Sequence, residues 1–269
     1  MIQELSLIST TKIFKEKLVK QSLLDNQELF ELNGKKIGKS RIVFEKVVIY
    51  GKLRCDALIF TENKGIIGVE IKTEYDNLKR LARQLSYYKK VCNYVYVYCH
   101  DSHLNKVIKL IKDKHLDKFV GVISYSIFKN EVIPGVYQPA KLNPDYQLAS
   151  ALQMLWKSEI RDILRVTTSQ QAKLVAAKEG LNYIPIFKDP VTQLKISSMP
   201  TTYGIASERL TKPQLVKNYL KLYGQRQGTV ILCQRFIYND NDPTKYLKLF
   251  NFKGRIDQPL IVGEPNEII

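Results

Sequence analysis

The sequence predicts an α/β protein in which a mixed sheet is flanked by helices and followed by a mainly helical C-terminal extension. Residues 41–72 contain consecutive apolar runs separated by short turn signals, which is typical of neighbouring strands. Helical and strand patterns then alternate to about residue 125. After Pro139 the apolar residues recur with helical spacing. We therefore expect residues 1–138 to form the α/β core and residues 139–269 the extension.

The composition is that of a globular protein with an excess of positive charge. The 269 residues are 45% hydrophobic and 25% charged, with a formal net charge of +16. No apolar run approaches the roughly 18 residues of a membrane-spanning helix, and the N-terminal sequence lacks the pattern of a secretory signal. We expect a cytoplasmic protein that does not enter a membrane. The charge favours a polyanionic partner such as nucleic acid, although ribosomal and capsid proteins share this property.

The elements of the core are predicted in chain order. The first thirty residues have helical spacing, and two strands, 41–50 and 53–60, flank Gly51-Lys52, which predicts a two-residue hairpin turn. A third strand follows at 66–72. Asp76 is expected to cap a helix that runs to about Asn93. A strand at 94–99, a helix at 102–114 and a strand at 120–125 complete the order βββαβαβ.

The extension is predicted from helix start and stop signals. Asn143-Pro144-Asp145 begins a helix that runs to about residue 165. Two further helices, 169–179 and 211–223, each end before a glycine. The apolar run 229–237 fits a strand and a helix equally well.

Asp56 and the sequence Glu70-Ile71-Lys72 form the candidate site. Alternation along a strand places Glu70 and Lys72 on one face, and Asp56 on the preceding strand can point to the same side. Two carboxylates suit Mg²⁺ or Mn²⁺, and a neighbouring lysine can orient the attacking water. The alternative is an ion pair on the surface of the strand.

These residues resemble the PD-(D/E)xK nuclease superfamily, in which an Asp on one strand precedes an E-x-K sequence on the next. Cys55 stands where that motif has proline. The resemblance implies a restriction-endonuclease-like fold and metal ligation by Asp56, Glu70 and the Ile71 carbonyl. It also implies that Lys72 positions the water and balances charge in the transition state.

Gln84 and Tyr88 add a second match, because Q-x-x-x-Y on the following helix resembles the extra motif of RecB-type and Cas4-type members. Residues four apart share a helix face, so both can reach one edge of the site. The alternative is an ordinary helix with one core tyrosine. Cas4-type members resemble iron-sulfur proteins with clustered cysteines, whereas the cysteines here are scattered. We therefore expect no iron-sulfur cluster.

The surrounding residues resemble an uncharacterised bacterial and phage branch of this superfamily, which favours a phage or mobile-element origin. The resemblance is specific over residues 41–125. Beyond them it includes Leu155-Trp156-Lys157-Ser158-Glu159, which matches an L-W-x-x-E pattern, and the helix start Thr211-Lys212-Pro213-Gln214-Leu215.

Basic residues cluster around the Gln84 helix and are the candidate nucleic-acid contacts: Lys79, Arg80, Arg83 and Lys90, with Lys89 beside them. Such side chains can neutralise phosphates while the helix packs on the sheet. A solvated helix face is the alternative.

Glu45 is a candidate third acidic group at the metal. In a two-residue turn Tyr50 pairs with Leu53, which pairs Val47 with Asp56 and Glu45 with Leu58. Glu45 and Asp56 would then share a face as diagonal neighbours. The alternative is a solvent-facing or ion-paired glutamate.

The expected function is Mg²⁺- or Mn²⁺-dependent hydrolysis of DNA. A non-catalytic DNA-binding or regulatory module that keeps the nuclease fold is the alternative, and a nuclease acting on RNA would share the same site. Strand preference and oligomeric state stay open.

Overall fold

The structure is a computed structural model that describes residues 15–30, 37–49, 51–165, 206 and 208–239. The chain divides into a sheet unit, residues 1–147, and a helical unit, residues 148–268. The division falls between Gln147 and Leu148, compared with the expected division at residue 139.

The sheet unit is built on a mixed sheet of six strands arranged in sequence order. The strands are β1 Ser40–Val48, β2 Leu53–Thr61, β3 Gly65–Lys72, β4 Tyr94–His100, β5 Val120–Phe128 and β6 Glu131–Gln138. Neighbouring strands are antiparallel except β3, β4 and β5, which are parallel to one another. This arrangement, flanked by helices, confirms the predicted α/β fold class.

Strand β6 is absent from the sequence prediction, in which the last strand of the core is 120–125 and Pro134-Gly135 marks a change of character. The strand lies at the edge of the sheet and pairs only with β5, with Tyr125 opposite Pro134. An edge strand tolerates proline because one of its sides needs no backbone donors. The local turn signal was therefore misleading.

The helices of the sheet unit connect or cover the strands. Helix α1 (15–25) and a 3₁₀ turn (Gln27–Phe30) precede the sheet, α2 (Leu81–Val91) joins β3 to β4, and α3 (Leu104–Asp113) joins β4 to β5. Helix α2 begins four residues later than a cap at Asp76 would require. The Asp76 carboxylate instead accepts hydrogen bonds from the Thr73 backbone (2.8 Å) and hydroxyl (2.7 Å), which closes the turn after β3.

Opposite faces of the sheet are covered by different helices. Val19 and Leu23 of α1 belong to the core cluster on one face, together with Ile59, Val69 and other buried sheet residues. Helix α2 packs closely against β3 on the other face. A Cβ added at Gly68 would lie 2.5 Å from Tyr88 Cδ1, so this glycine sets the distance between helix and strand.

The described part of the helical unit contains short helices and one long one. Helix α4 (Leu148–Ala151), a 3₁₀ turn (Leu152–Met154) and α5 (157–165) replace the single helix that was expected to end near residue 165. Helix α6 (Lys212–Tyr238) starts at a capping box formed by Thr211 and Gln214.

Gly224 interrupts α6 where the sequence predicts the end of a helix, since its φ of 67° and ψ of −176° are not helical. A second helical segment follows directly and continues to Tyr238, so the run 229–237 is helical. The helix predicted at 169–179 lies outside the described residues. Among the helices that the structure describes, none is long and apolar enough to cross a membrane.

Candidate functional site

The predicted site residues line a cleft in the sheet unit with a cavity volume of about 200 Å³. Strands β2 and β3 supply Asp56, Glu70 and Lys72, and α2 supplies Gln84. The remaining lining residues are Glu16, Lys20, Glu45, Ile71, Thr73, Asp76 and Arg80. The cleft is thus rich in charged side chains, several of which the motif did not include.

Asp56 lies where β2 and β3 separate. The pairing of the two strands ends at Ala57 opposite Val69, and beyond it the Ile71 N–H donates to Asp56 Oδ2 at 2.8 Å. On its other side, the Asp56 backbone N–H donates to the Tyr88 hydroxyl at 2.9 Å. Backbone bonds therefore fix the carboxylate at the mouth of the strand pair.

Glu70 and Lys72 point into the cleft from alternate positions of β3, as the alternation predicts. Glu70 is 0% exposed and Lys72 is 7% exposed. Lys72 Nζ donates to Glu70 Oε1 at 2.5 Å and to Gln84 Oε1 at 3.2 Å. The ammonium is therefore held between β3 and α2, which argues against a surface ion pair.

Both carboxylates are harder to ionise than usual. Burial, with a smaller contribution from the Glu70 charge, raises the pKa of Asp56 to about 7. Burial also raises the pKa of Glu70, although Lys72 opposes the effect. Burial therefore disfavours the ionised form of both carboxyl groups in the folded chain.

The donor set fits a divalent cation. Glu70 Oε2 is buried and accepts no hydrogen bond, and a carboxylate oxygen is a preferred ligand of Mg²⁺ and Mn²⁺. The Ile71 residue also lines the cleft. No group of three or more His, Cys, Asp or Glu side chains within the described ranges is arranged as a metal-ligand cluster.

Tyr88 is a buried residue of α2 that is hydrogen-bonded to the two strands of the site. It is 0% exposed, and its hydroxyl donates to the Val69 carbonyl at 3.1 Å while accepting from Asp56 N. Tyr88 thus joins α2 to both strands next to Asp56. Gln84, the other Q-x-x-x-Y residue, accepts a hydrogen bond from Lys72.

Glu45 lines the cleft, although the register predicted for it is wrong. Val48 pairs with Leu53, so residues 49–52 connect the strands instead of a two-residue turn. The pairing of β1 with β2 differs from the predicted one by two residues, and a shift of two keeps Glu45 on the predicted face of the sheet. Glu45 lies between the pairs Phe44–Ala57 and Lys46–Cys55, and hence opposite Asp56. Tyr50 lies outside the described residues.

Residues Glu16 and Lys20 of α1 are site residues that the sequence motifs did not predict. Lys20 Nζ lies 2.8 Å from Glu16 Oε1 and 2.8 Å from Glu45 Oε1. The i, i+4 spacing of Glu16 and Lys20 predicts their own contact, but it carries no information about the cleft.

The basic residues around α2 are exposed. Lys79, Arg80, Arg83 and Lys90 are all exposed, and Arg80 also lines the cleft. Lys89 instead pairs with Asp145 at 3.1 Å. Exposure is expected both for DNA contacts and for a solvated helix face, so it does not distinguish the two. The assignment of these residues as DNA contacts stays a prediction.

In the helical unit, the L-W-x-x-E match has a structural explanation. One oxygen of Glu159 accepts the Trp156 N–H at 2.6 Å, and the other accepts a hydrogen bond from Arg235 at 2.6 Å. The glutamate therefore caps α5 and ties it to α6.

The four cysteines, Cys55, Cys92, Cys99 and Cys233, are buried with free thiols.

Comparison with known proteins identifies a phage family. The family model described as bacteriophage P4 protein cII matches residues 9–217. A curated relative, protein cII of Enterobacteria phage P4, is 27% identical over 159 residues, which cover 56% of this chain and 58% of the relative. No solved structure matches the chain. Because the family model covers more than half of the sequence, the chain belongs to the bacteriophage P4 protein cII family.

Proposed function

We propose that the protein is a divalent-metal-dependent nuclease of the PD-(D/E)xK superfamily that hydrolyses DNA. The observation that carries this proposal is the arrangement of Asp56, Glu70 and Lys72 in one cleft. Asp56 and Glu70 have raised pKa values, so a cation bound between them would lower the free-energy cost of ionising them. Lys72 lies beside them and is hydrogen-bonded to Glu70. A structural ion pair would need no second carboxylate and no cleft.

Asp56, Glu70 and the carbonyl of Ile71 would hold Mg²⁺ or Mn²⁺. The buried Glu70 Oε2, which accepts no hydrogen bond, supports this assignment. When bound, the cation would supply Lewis-acid stabilisation of the phosphoryl oxygens.

Lys72 would orient the attacking water and balance the negative charge that develops on the phosphate. Its ammonium retains a third hydrogen after donating to Glu70 and Gln84. A donor fixed before the reaction needs little reorganisation, which is the main requirement of electrostatic catalysis. Gln84 would position Lys72, and Tyr88 would position Asp56 through its backbone.

DNA would reach the cleft along α2. Arg80 stands at the cleft, and Arg83 and Lys90 are exposed farther along the helix on residues two turns apart. Their side chains make no ion pair with other residues in the described ranges, so they are available to phosphates. The formal net charge of +16 would add long-range attraction for a polyanion.

The test is incubation of the purified chain with linear duplex, circular duplex and single-stranded DNA and with RNA, each with Mg²⁺, Mn²⁺ or EDTA. We expect cleavage of DNA with either metal and none in EDTA. Asp56→Ala, Glu70→Ala and Lys72→Ala should abolish it, whereas Lys109→Ala, at an exposed position on α3, should not. Cleavage of RNA alone would assign an RNA substrate. DNA binding without cleavage under every condition would favour the non-catalytic module.

A further inference from the structure

A lysine on α1, outside strands β2 and β3, places its side-chain ammonium in the cleft. Lys20 projects from α1, and its ammonium is bound by Glu16 and Glu45 at 2.8 Å each. The side chain is 24% exposed, and its ammonium also lies 5.9 Å from the centre of the Phe44 ring. Three contacts from two elements therefore hold this ammonium in a defined place.

Four of the five carboxylates that line the cleft form two pairs, Glu16 with Glu45 and Asp56 with Glu70, whereas the fifth, Asp76, accepts hydrogen bonds from Thr73. The second pair has a buried oxygen without a hydrogen-bond donor, whereas the first pair is bridged by Lys20. The two pairs are adjacent, because Glu45 lies opposite Asp56 on the neighbouring strand and all four side chains line the same cleft. Lys72 binds only one oxygen of Glu70, so the second pair keeps a carboxylate oxygen for a further cation, whereas both members of the first pair are bound to the Lys20 ammonium.

The backbone at Glu45 also departs from regular strand geometry. Its φ of 55° lies in the left-handed region, which a non-glycine residue adopts at a cost of roughly 1–2 kcal/mol. The departure coincides with the position where β1 faces Asp56, and the carboxylate it carries is the one that accepts Lys20. The Glu45 carboxylate therefore binds Lys20 from a residue whose backbone conformation is itself unfavourable.

From this arrangement we infer that Lys20 is a tethered cation that takes the place of a second metal ion, so that the cleft binds a single divalent cation at Asp56 and Glu70. The inference rests on the proposed function. Two adjacent pairs of carboxylates could otherwise hold two hard cations. An ammonium is a compact point charge with three donors, which suits a bridge between two carboxylates. Because it is covalently attached to α1, it has no loss of translational freedom to overcome and competes effectively with a dilute free ion.

Lys20 therefore acts as a positioning residue. Its ion pair with Glu45 connects that carboxylate to α1 and keeps it from ligating the metal. Removal of the ammonium should leave Glu16 and Glu45 as a vacant oxygen-donor pair beside an occupied site. Arginine at this position would preserve the positive charge.

The experiment is titration of the full chain with MnCl₂ in an isothermal calorimeter at pH 8. We expect one ion per chain for the wild type and for Lys20→Arg, and two for Lys20→Met. Lys17→Met is the matched control, because Lys17 is exposed on the same helix and does not line the cleft. It should bind one ion. In the electron paramagnetic resonance spectrum, Lys20→Met should also show coupling between two Mn²⁺ ions that the wild type lacks.

One ion bound to Lys20→Met, or two bound to the wild type, would overturn the role of Lys20. Lys20→Gln serves as a second neutral variant if circular dichroism shows that Lys20→Met is unfolded, and the same stoichiometries apply to it. A wild type that binds no Mn²⁺ would contradict the proposed function itself. A wild type that binds one ion, absent from Asp56→Ala, together with a single ion on Lys20→Met would leave the proposed function standing and remove only this inference.

Discussion

Ionisation of Asp56 is expected to destabilise the metal-free fold, and replacement by asparagine should remove this cost. The pKa of the carboxyl is about 7 in the folded chain, against an ordinary value of 3.8. One pH unit corresponds to about 1.4 kcal/mol, so the ionised carboxylate costs on the order of 4 kcal/mol above pH 7. Asparagine retains an oxygen that can accept the Ile71 N–H.

The sign of the pH dependence follows from proton binding. Between pH 3.8 and about 7 the folded chain retains the Asp56 proton that the unfolded chain has released. The free energy of unfolding of the wild type should therefore fall as the pH rises through this window, relative to Asp56→Asn. At pH 8 in EDTA, Asp56→Asn should be the more stable protein by several kcal/mol.

Urea denaturation in EDTA at pH 5 and pH 8 measures this difference. Far-UV circular dichroism is the appropriate signal, because the single tryptophan, Trp156, lies in the helical unit. Asp113→Asn, at an exposed position at the end of α3, is the control and should follow the wild type. Mg²⁺ should stabilise the wild type at pH 8 and have less effect on Asp56→Asn. A stability difference that is the same at both pH values would show that the Asp56 carboxyl does not have a raised pKa in the folded chain.

Two further predictions concern DNA binding and packing. Replacement of Lys79, Arg80 and Arg83 by alanine should reduce the slope of log affinity against log salt by roughly 0.7–0.9 for each phosphate that is no longer neutralised, measured by fluorescence anisotropy. A wild-type slope, or an equal reduction in a variant lacking Lys106, Lys109 and Lys112 of α3, would contradict it. Gly68→Ala should lower the free energy of unfolding by about 1–3 kcal/mol, because its Cβ would lie 2.5 Å from Tyr88. Gly135→Ala, which meets no atom within 4 Å, should not, and equal stability of the two variants would be inconsistent with this argument.

The face of β3 that carries Glu70 and Lys72 could be predicted because a strand alternates with a period of two. The approach of Gln84 to Lys72 followed from helical spacing together with a strand-helix connection. These relations are local in sequence. They needed no knowledge of how distant elements pack.

The features that the sequence did not predict depend on long-range geometry. Lys20 enters the cleft because α1 packs across the sheet, and no local pattern encodes that placement. The register of Glu45 depended on the length of the connection 49–52, which the Gly51-Lys52 signal underestimated. Pro134 is an ordinary stop signal, yet an edge strand accommodates it.

The most direct test of the central claim is the rate of Mg²⁺-dependent DNA cleavage by Lys72→Ala, compared with the wild type and with Lys52→Ala. Lys52 is exposed in the connection between β1 and β2 and does not line the cleft. We expect the wild type and Lys52→Ala to cleave DNA at similar rates and EDTA to stop both. Lys72→Ala, shown by circular dichroism to be folded, should not cleave. Cleavage by Lys72→Ala at the wild-type rate would show that Lys72 takes no part in the reaction.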